Sequence, residues 1–305
     1  MTISHEPSAP LVVVVGATGM QGGSVINALI ESDKAYRFRG LTRDTSKPAA
    51  RKLIDQGVEM VGVSISADNA EKVHQAFEGA SIAFEIDDGI LMINAAKAAK
   101  VKLFIWSGLM SVTEASGGKY THVDHFDGKA AITAYGRQSG IPFVDVQAGT
   151  YASNFTSTLA PRKQADGTYA IGLPFGPDTL IPIIDMASDY GLFVRQAIES
   201  TAFGAGSEIL TCGELLPVGD MFKQLSEITG KSVVFHQLSD KEYLAAMPEM
   251  IPDRIKVEFL DQMKYIDDFG YYNGKSVVPS QQQLARKPRT WAEFVKATDW
   301  SKVLA

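Results

Sequence analysis

Three glycines, Gly16-x-x-Gly19-x-x-Gly22, follow an unbroken apolar run from Leu11 to Val15 and precede a helix-like stretch from Ser24 to Ser32. This spacing can hold a pyrophosphate. Gly16 permits a tight turn, Gly19 carries no side chain to fend off a phosphate, and Gly22 lets the next helix pack close to the sheet with its N-terminus toward the anion. Thr18, Met20 and Gln21 would border the same ligand. An ordinary strand-turn-helix could use the same glycines. Five consecutive aliphatic residues, as a parallel strand buried on both faces requires, favour the dinucleotide reading.

About twenty residues beyond the last glycine, a second strand over Tyr36 to Thr42 ends at Arg43, where an acidic residue would otherwise grip the ribose 2′-hydroxyl of NAD. A guanidinium fork suits a 2′-phosphate instead, and Lys47 adds charge, so the sequence predicts NADP(H). Asp44 opposes an anion here. The competing reading leaves Arg43 and Lys47 as solvated surface charges.

Further apolar strands at Val58 to Val63, Ser81 to Glu85, Lys102 to Trp106 and Phe143 to Val146 alternate with helix-like segments such as Ala70 to Phe77 and Leu91 to Ala99. That rhythm means an α/β fold, a doubly wound, Rossmann-like parallel sheet covered on both faces. After Gln147 the chain turns to Gly- and Pro-rich loops, where a second, smaller α/β lobe is expected. It would contain a helix over Met186 to Ile198, a strand near Glu208 to Thr211, a helix over Val218 to Ile228 and a strand at Ser232 to Gln237. The reading divides the chain into residues 1–150 and 151–305, with some elements crossing between lobes. There is no internal repeat and no low-complexity tract.

The 305 residues are 45% hydrophobic and 21% charged, with a net charge of −6 and no basic run, which argues against direct nucleic-acid binding. A single cysteine, Cys212, excludes an internal disulfide and fits a reducing compartment; it reads as a buried strand residue. No apolar run approaches the length of a membrane span, and Met1 to Pro10 resembles neither leader nor anchor, so no membrane association and a cytoplasmic location are expected, with nuclear entry left open. His122, Asp124 and His125 suggest a metal, but i, i+2, i+3 spacing does not converge on one helix face. No Gly-x-Ser-x-Gly elbow supports a Ser-His-Asp hydrolase.

Taken together, Gly-Ala-Thr-Gly-Met-Gln-Gly-Gly-Ser-Val from Gly16, Leu41-Thr42-Arg43, Trp106-Ser107-Gly108 and His125-Phe126-Asp127-Gly128-Lys129 resemble the NmrA-like family of atypical short-chain dehydrogenases. Ile184 to Gly191, Leu225 to Lys231 and Trp291 to Phe294 extend the resemblance over nearly the whole chain. It implies an NADP-binding domain with a small lobe closing over a cleft. Members act as redox-sensing regulators or as NADPH-dependent reductases, so a regulatory protein partner and a small-molecule substrate are both implied, with a homodimer left open. Ser107, Gly108, Leu109, Met110, Gly149, Thr150, Tyr151 and Asn154 would flank the nicotinamide.

Reductases of this lineage use Tyr-x-x-x-Lys, whose i, i+4 spacing sets both side chains on one helix face. The tyrosine protonates the substrate oxygen and the lysine holds the nicotinamide ribose. Here the pattern stands as His125-x-x-x-Lys129, which keeps the lysine but changes the donor. Histidine can donate a proton near neutral pH; Tyr151 is a substitute acid, and Ser107 or Ser111 could polarise a carbonyl. The other reading makes His125 and Lys129 plain polar helix residues. A second departure is the short passage from Phe84 to Gly89 into the next helix, where relatives carry a longer loop. Glu85, Asp87 and Asp88 put three carboxylates there, able to repel cofactor phosphates, unless Asp88 caps the helix and the others face water. These departures place the expected role with a redox sensor acting through a protein partner, ahead of a reductase of a quinone or small carbonyl compound.

Overall fold

The computed structural model of the protein describes residues 3–86 and 89–305. Its strands are β1 (Leu11–Val15), β2 (Arg37–Thr42), β3 (Glu59–Gly62), β4 (Ile82–Glu85), β5 (Leu103–Trp106), β6 (Phe143–Gln147), β7 (Thr150–Tyr151), β8 (Arg162–Lys163), β9 (Tyr169–Leu173), β10 (Leu180–Ile184), β11 (Glu208–Leu210), β12 (Glu214–Pro217) and β13 (Val233–Gln237). The helices are α1 (Met20–Ile30), α2 (Pro48–Asp55), α3 (Ala70–Ala76), α4 (Gly89–Ala98), α5 (Val112–Ala115), α6 (Asp124–Gln138), α7 (Met186–Glu199), α8 (Val218–Thr229), α9 (Asp240–Ala246), α10 (Asp253–Phe269), α11 (Val278–Gln281) and α12 (Trp291–Ala297).

Among the described residues seven strands form one parallel sheet in the order β11-β6-β5-β4-β1-β2-β3. The order reverses between β1 and β4. At such a switch point the loops leave in opposite directions and open a crevice beyond the carboxyl ends of the strands. Val12, Val13 and Val14 are wholly buried because helices cover both faces of the sheet, as the unbroken apolar run requires.

The smaller lobe consists of two three-stranded sheets, β12-β10-β7 and β13-β9-β8, with α8, α9, α10 and α12 around them. Two elements that chain order assigned to this lobe pack elsewhere. β11 pairs in parallel with β6 and extends the large sheet. α7 lies against α1, so closely that a Cβ on Gly191 would stand 2.0 Å from the Ser24 carbonyl oxygen, and the Gly191 N–H donates to Ser24 Oγ at 2.9 Å. The chain therefore crosses back to the large sheet and to α1 before it completes the lobe. Cys212 is buried, as read, but lies between β11 and β12 rather than in a strand; burial pushes its thiol up to about 12.

Candidate functional site

The glycine turn closes β1 onto α1. Gly16 adopts φ +63°, the left-handed region, and a Cβ on Gly22 would stand 2.4 Å from the Gly16 carbonyl oxygen. Any side chain at Gly22 would push the helix away from the turn. α1 starts at Met20, four residues before the helical pattern begins in the sequence, with Gly19 as N-cap, no side-chain cap and no acidic residue in its first turn. Such a helix end leaves N–H groups and a partial positive charge for an anion. The residues present thus fit a dinucleotide pyrophosphate.

Beyond this turn, Thr18 Oγ1 lies 3.4 Å from Thr42 Oγ1, which ties the loop to the end of β2. Arg43 follows, exposed and without an ion pair among the described residues. Asp44 does not oppose it directly. Its carboxylate accepts from the Ser46 N–H at 2.9 Å and the Ser46 hydroxyl at 2.6 Å, and these bonds hold its pKa below the usual carboxylate value. Lys47, also exposed, is the N-cap of α2. Arg43 and Lys47 thus both lie exposed in the connection between β2 and α2.

On the other side of the crevice the sheet opens into a cavity of about 960 Å³. Met20, Gln21, Ser107, Gly108, His125, Lys129, Tyr151 and Asn154 line it, as do Leu109, Gly149 and Thr150. The sequence-predicted residues fall into two groups: Gly16, Thr18, Gly19, Gly22, Arg43 and Lys47 at the phosphate end, and the cavity-lining set at the reactive end. Gln21 connects the two, since its Nε2 donates to the Tyr151 hydroxyl at 2.7 Å. Ser111 lies outside the lining: it caps α5 and donates to Asp127 at 3.0 Å.

α6 presents His125 and Lys129 on one face. Lys129 Nζ donates to the carbonyls of Ile86 at 2.7 Å and Ser107 at 2.8 Å, and sits 4.4 Å from the Trp106 ring centroid. The ammonium is thereby fixed at the ends of β4 and β5, beside the switch point. His125 Nδ1 donates to Glu258 on α10, and the same Glu258 oxygen accepts the His125 backbone N–H at 3.1 Å. Glu258, 8% exposed, also supplies the negative charge that the N-terminus of α6 favours. A carboxylate only accepts, so Nδ1 carries a proton and Nε2 remains for a ligand. Sequence reasoning did not find Glu258, which lies 133 residues from His125 with no motif around it.

The neighbouring residues of the notional metal set point apart: His122 bonds to Asp261 at 2.7 Å and Asp124 pairs with Arg254. Among the carboxylates after β4, Glu85 is wholly buried and accepts from the Ile86 N–H at 2.8 Å, so it does not face water. Asp87 and Asp88, with the capping role read for Asp88, lie outside the described residues.

The model of the NmrA-like family matches residues 8–295, and the chain belongs to that family. Among its relatives is an NmrA-like family domain-containing oxidoreductase, ptmS, of Penicillium ochrochloron, 26% identical over 253 residues, 74% of this chain and 75% of that protein. The fold is shared with NmrA, a negative transcriptional regulator crystallised with NADP, at a TM-score of 0.77 and 22% identity over 94% of each chain. It is also shared with an NADPH-dependent quinone oxidoreductase of Escherichia coli crystallised with NADPH, at a TM-score of 0.76 and 20% identity over 94% of this chain and 99% of that one. No helix among the described residues is long and apolar enough to cross a membrane.

Proposed function

We propose that this protein is an NADP(H)-dependent oxidoreductase that acts on a carbonyl or quinone oxygen. The observation that carries this reading is His125, held by Glu258 on the wall of a large cavity that also receives Lys129 and Tyr151. A protein that only sensed its cofactor would need no such chamber with a positioned acid beside the nicotinamide end. This reverses the order of the two roles expected from sequence.

When bound, the dihydronicotinamide supplies a hydride. The chain's residues do the rest. Gly16, Gly19, Gly22 and the start of α1 take the pyrophosphate, with Thr18 and Met20 beside them, and Arg43 with Lys47 takes the 2′-phosphate. Lys129, Ser107, Gly108, Tyr151 and Asn154 border the nicotinamide riboside. His125 gives a proton from Nε2 to the substrate oxygen while Glu258 holds Nδ1 on the other side. One hydride and one proton reduce the carbonyl to an alcohol; two electrons and two protons in sum reduce a quinone to a quinol.

The test is NADPH oxidation with a panel of quinones and ketones, comparing the parent with His125→Ala and Lys129→Ala. Turnover that His125→Ala loses while NADPH affinity persists supports the reading. The similarity of fold to a transcriptional regulator keeps a second reading in view, a redox sensor with a protein partner. Absence of turnover on the whole panel, together with an NADPH-dependent change in oligomeric state, would establish that second reading, because a ligand shifts an equilibrium only by differential affinity for its states.

A further inference from the structure

The cavity does not end at His125. It runs on between the loop after β7, strand β9 and the helices α9 and α10, with Phe155, Leu173, Tyr243, Phe259 and Met263 among its walls. About 960 Å³ is near the upper end of the roughly 300–1,000 Å³ typical of small-molecule pockets.

Charge is sparse on its walls. Among the described lining residues it is limited to His125, Lys129 and Arg162. Lys129 is committed to two carbonyls and His125 to Glu258, both at the reactive end, and Arg162 is exposed on β8, opposite Ala170 of β9. A charged group carried into the deeper part would lose its hydration with only the exposed Arg162 to meet, whereas apolar surface would be withdrawn from water at a net gain. Met247, Pro248 and Ile251, in the connection between α9 and α10, add further apolar wall on the outer side.

We propose that the substrate is a neutral, predominantly apolar molecule larger than a single ring, whose oxygen function reaches His125 while its apolar body fills the chamber between β9 and α10. This rests on the oxidoreductase reading for the reacting group and narrows the expected quinone or small carbonyl compound toward the larger, apolar members of that range. Phe259 and Met263, one helical turn apart on α10, act as specificity-determining residues for the apolar body.

Binding can be measured without turnover. The neutral dye Nile red, titrated into the full chain with NADP⁺ present, is expected to brighten and saturate at one site. 9-Fluorenone should displace it at concentrations at least roughly tenfold below cyclohexanone, because of the added buried rings. 9-Fluorenone-2-carboxylate should compete more weakly than 9-fluorenone, because its charge gives up hydration that the exposed Arg162 replaces only in part. Met263→Arg should weaken dye binding by about tenfold or more; Phe259→Asp, at a residue 38% exposed and therefore tolerant of change, should do the same, with NADPH affinity unaltered in both. Equal displacement by the one-ring and three-ring ketones would overturn the proposal. So would a Phe259→Asp protein that keeps NADPH affinity and binds the dye as tightly as the parent. If the binding series follows expectation and no ring ketone or quinone is turned over with NADPH, the oxidoreductase reading fails and the apolar ligand site stands.

Discussion

Arg43 and Asp44 carry opposite charges in adjacent positions, yet form no ion pair among the described residues; the Asp44 carboxylate is hydrogen-bonded by Ser46 instead. The guanidinium is left for a ligand. Its contact with a 2′-phosphate should contribute about 1.5–3 kcal/mol, so Arg43→Ala is expected to weaken NADPH binding by roughly ten- to a hundredfold and to leave NADH binding unchanged. Calorimetric titration of both cofactors checks this; equal losses for the two would remove Arg43 as the selector. His125 and Glu258 form the other residue-scale unit. His125→Ala should lower kcat by roughly 10²–10⁴ with little effect on NADPH affinity, the range for loss of a positioned general acid. Glu258→Gln keeps an acceptor for Nδ1 but loses the charge that stabilises the imidazolium. Stopped-flow measurement should show kcat reduced by roughly tenfold or more with NADPH affinity retained. A Glu258→Gln enzyme with unaltered kcat would leave Glu258 only its role at the α6 terminus.

At the scale of elements, the parts of the site legible in the sequence are those built by local chain geometry. β1, the glycine turn and α1 are contiguous, and the offset from Gly22 to Arg43 is fixed by one helix and one strand, so a short motif carries the phosphate end. His125 and Lys129 were singled out by the resemblance to the Tyr-x-x-x-Lys pattern of the family, and their i, i+4 spacing does set them on one face of α6. The deep chamber was not legible. Its walls come from β9, α9 and α10, whose apolar residues look like core until the lobe is folded over the sheet, and Glu258 meets His125 only through that closure. The return of α7 to the large sheet was hidden too, since its helical pattern does not say which face it covers. The signal lay in Gly191, a glycine inside a helix where only close backbone approach justifies it. Gly191→Ala would set a Cβ 2.0 Å from the Ser24 carbonyl and force α7 off α1. We expect a loss of about 3 kcal/mol or more in urea unfolding, compared with near neutrality for Gly128→Ala on α6, where a Cβ meets nothing within 4 Å.

For the molecule as a whole, the sheet carries one electrostatically unusual group. Asp145, in the middle of β6 and wholly buried, lies under Gly108, where a Cβ would stand 2.0 Å from its Oδ1. Gln147 Nε2 bridges Asp145 at 3.0 Å and Glu208 at 2.9 Å, and Lys275 reaches Glu208 at 2.7 Å. The lysine thus neutralises the outer carboxylate and not the inner one. Loss of hydration dominates, opposed by the Gln147 bond and the charge of Arg137, and pushes Asp145 up to about 7. Near pH 5 the folded chain therefore keeps a proton that the unfolded chain, with an ordinary aspartate near 3.8, has released. Because stability falls with rising pH wherever the native state binds more protons, this group lowers the stability progressively between about pH 4 and pH 7, by about 4 kcal/mol in total. No further loss from it follows above pH 7. Asp145→Asn, which cannot ionise and keeps the carbonyl that accepts from Gln147, should remove that slope. Urea unfolding at intervals from pH 4 to pH 8 is the measurement: the variant is expected to match or fall below the parent at pH 4 and to exceed it at pH 7.5. Parallel pH dependences for the two proteins would mean that Asp145 is ionised in the fold across the whole range.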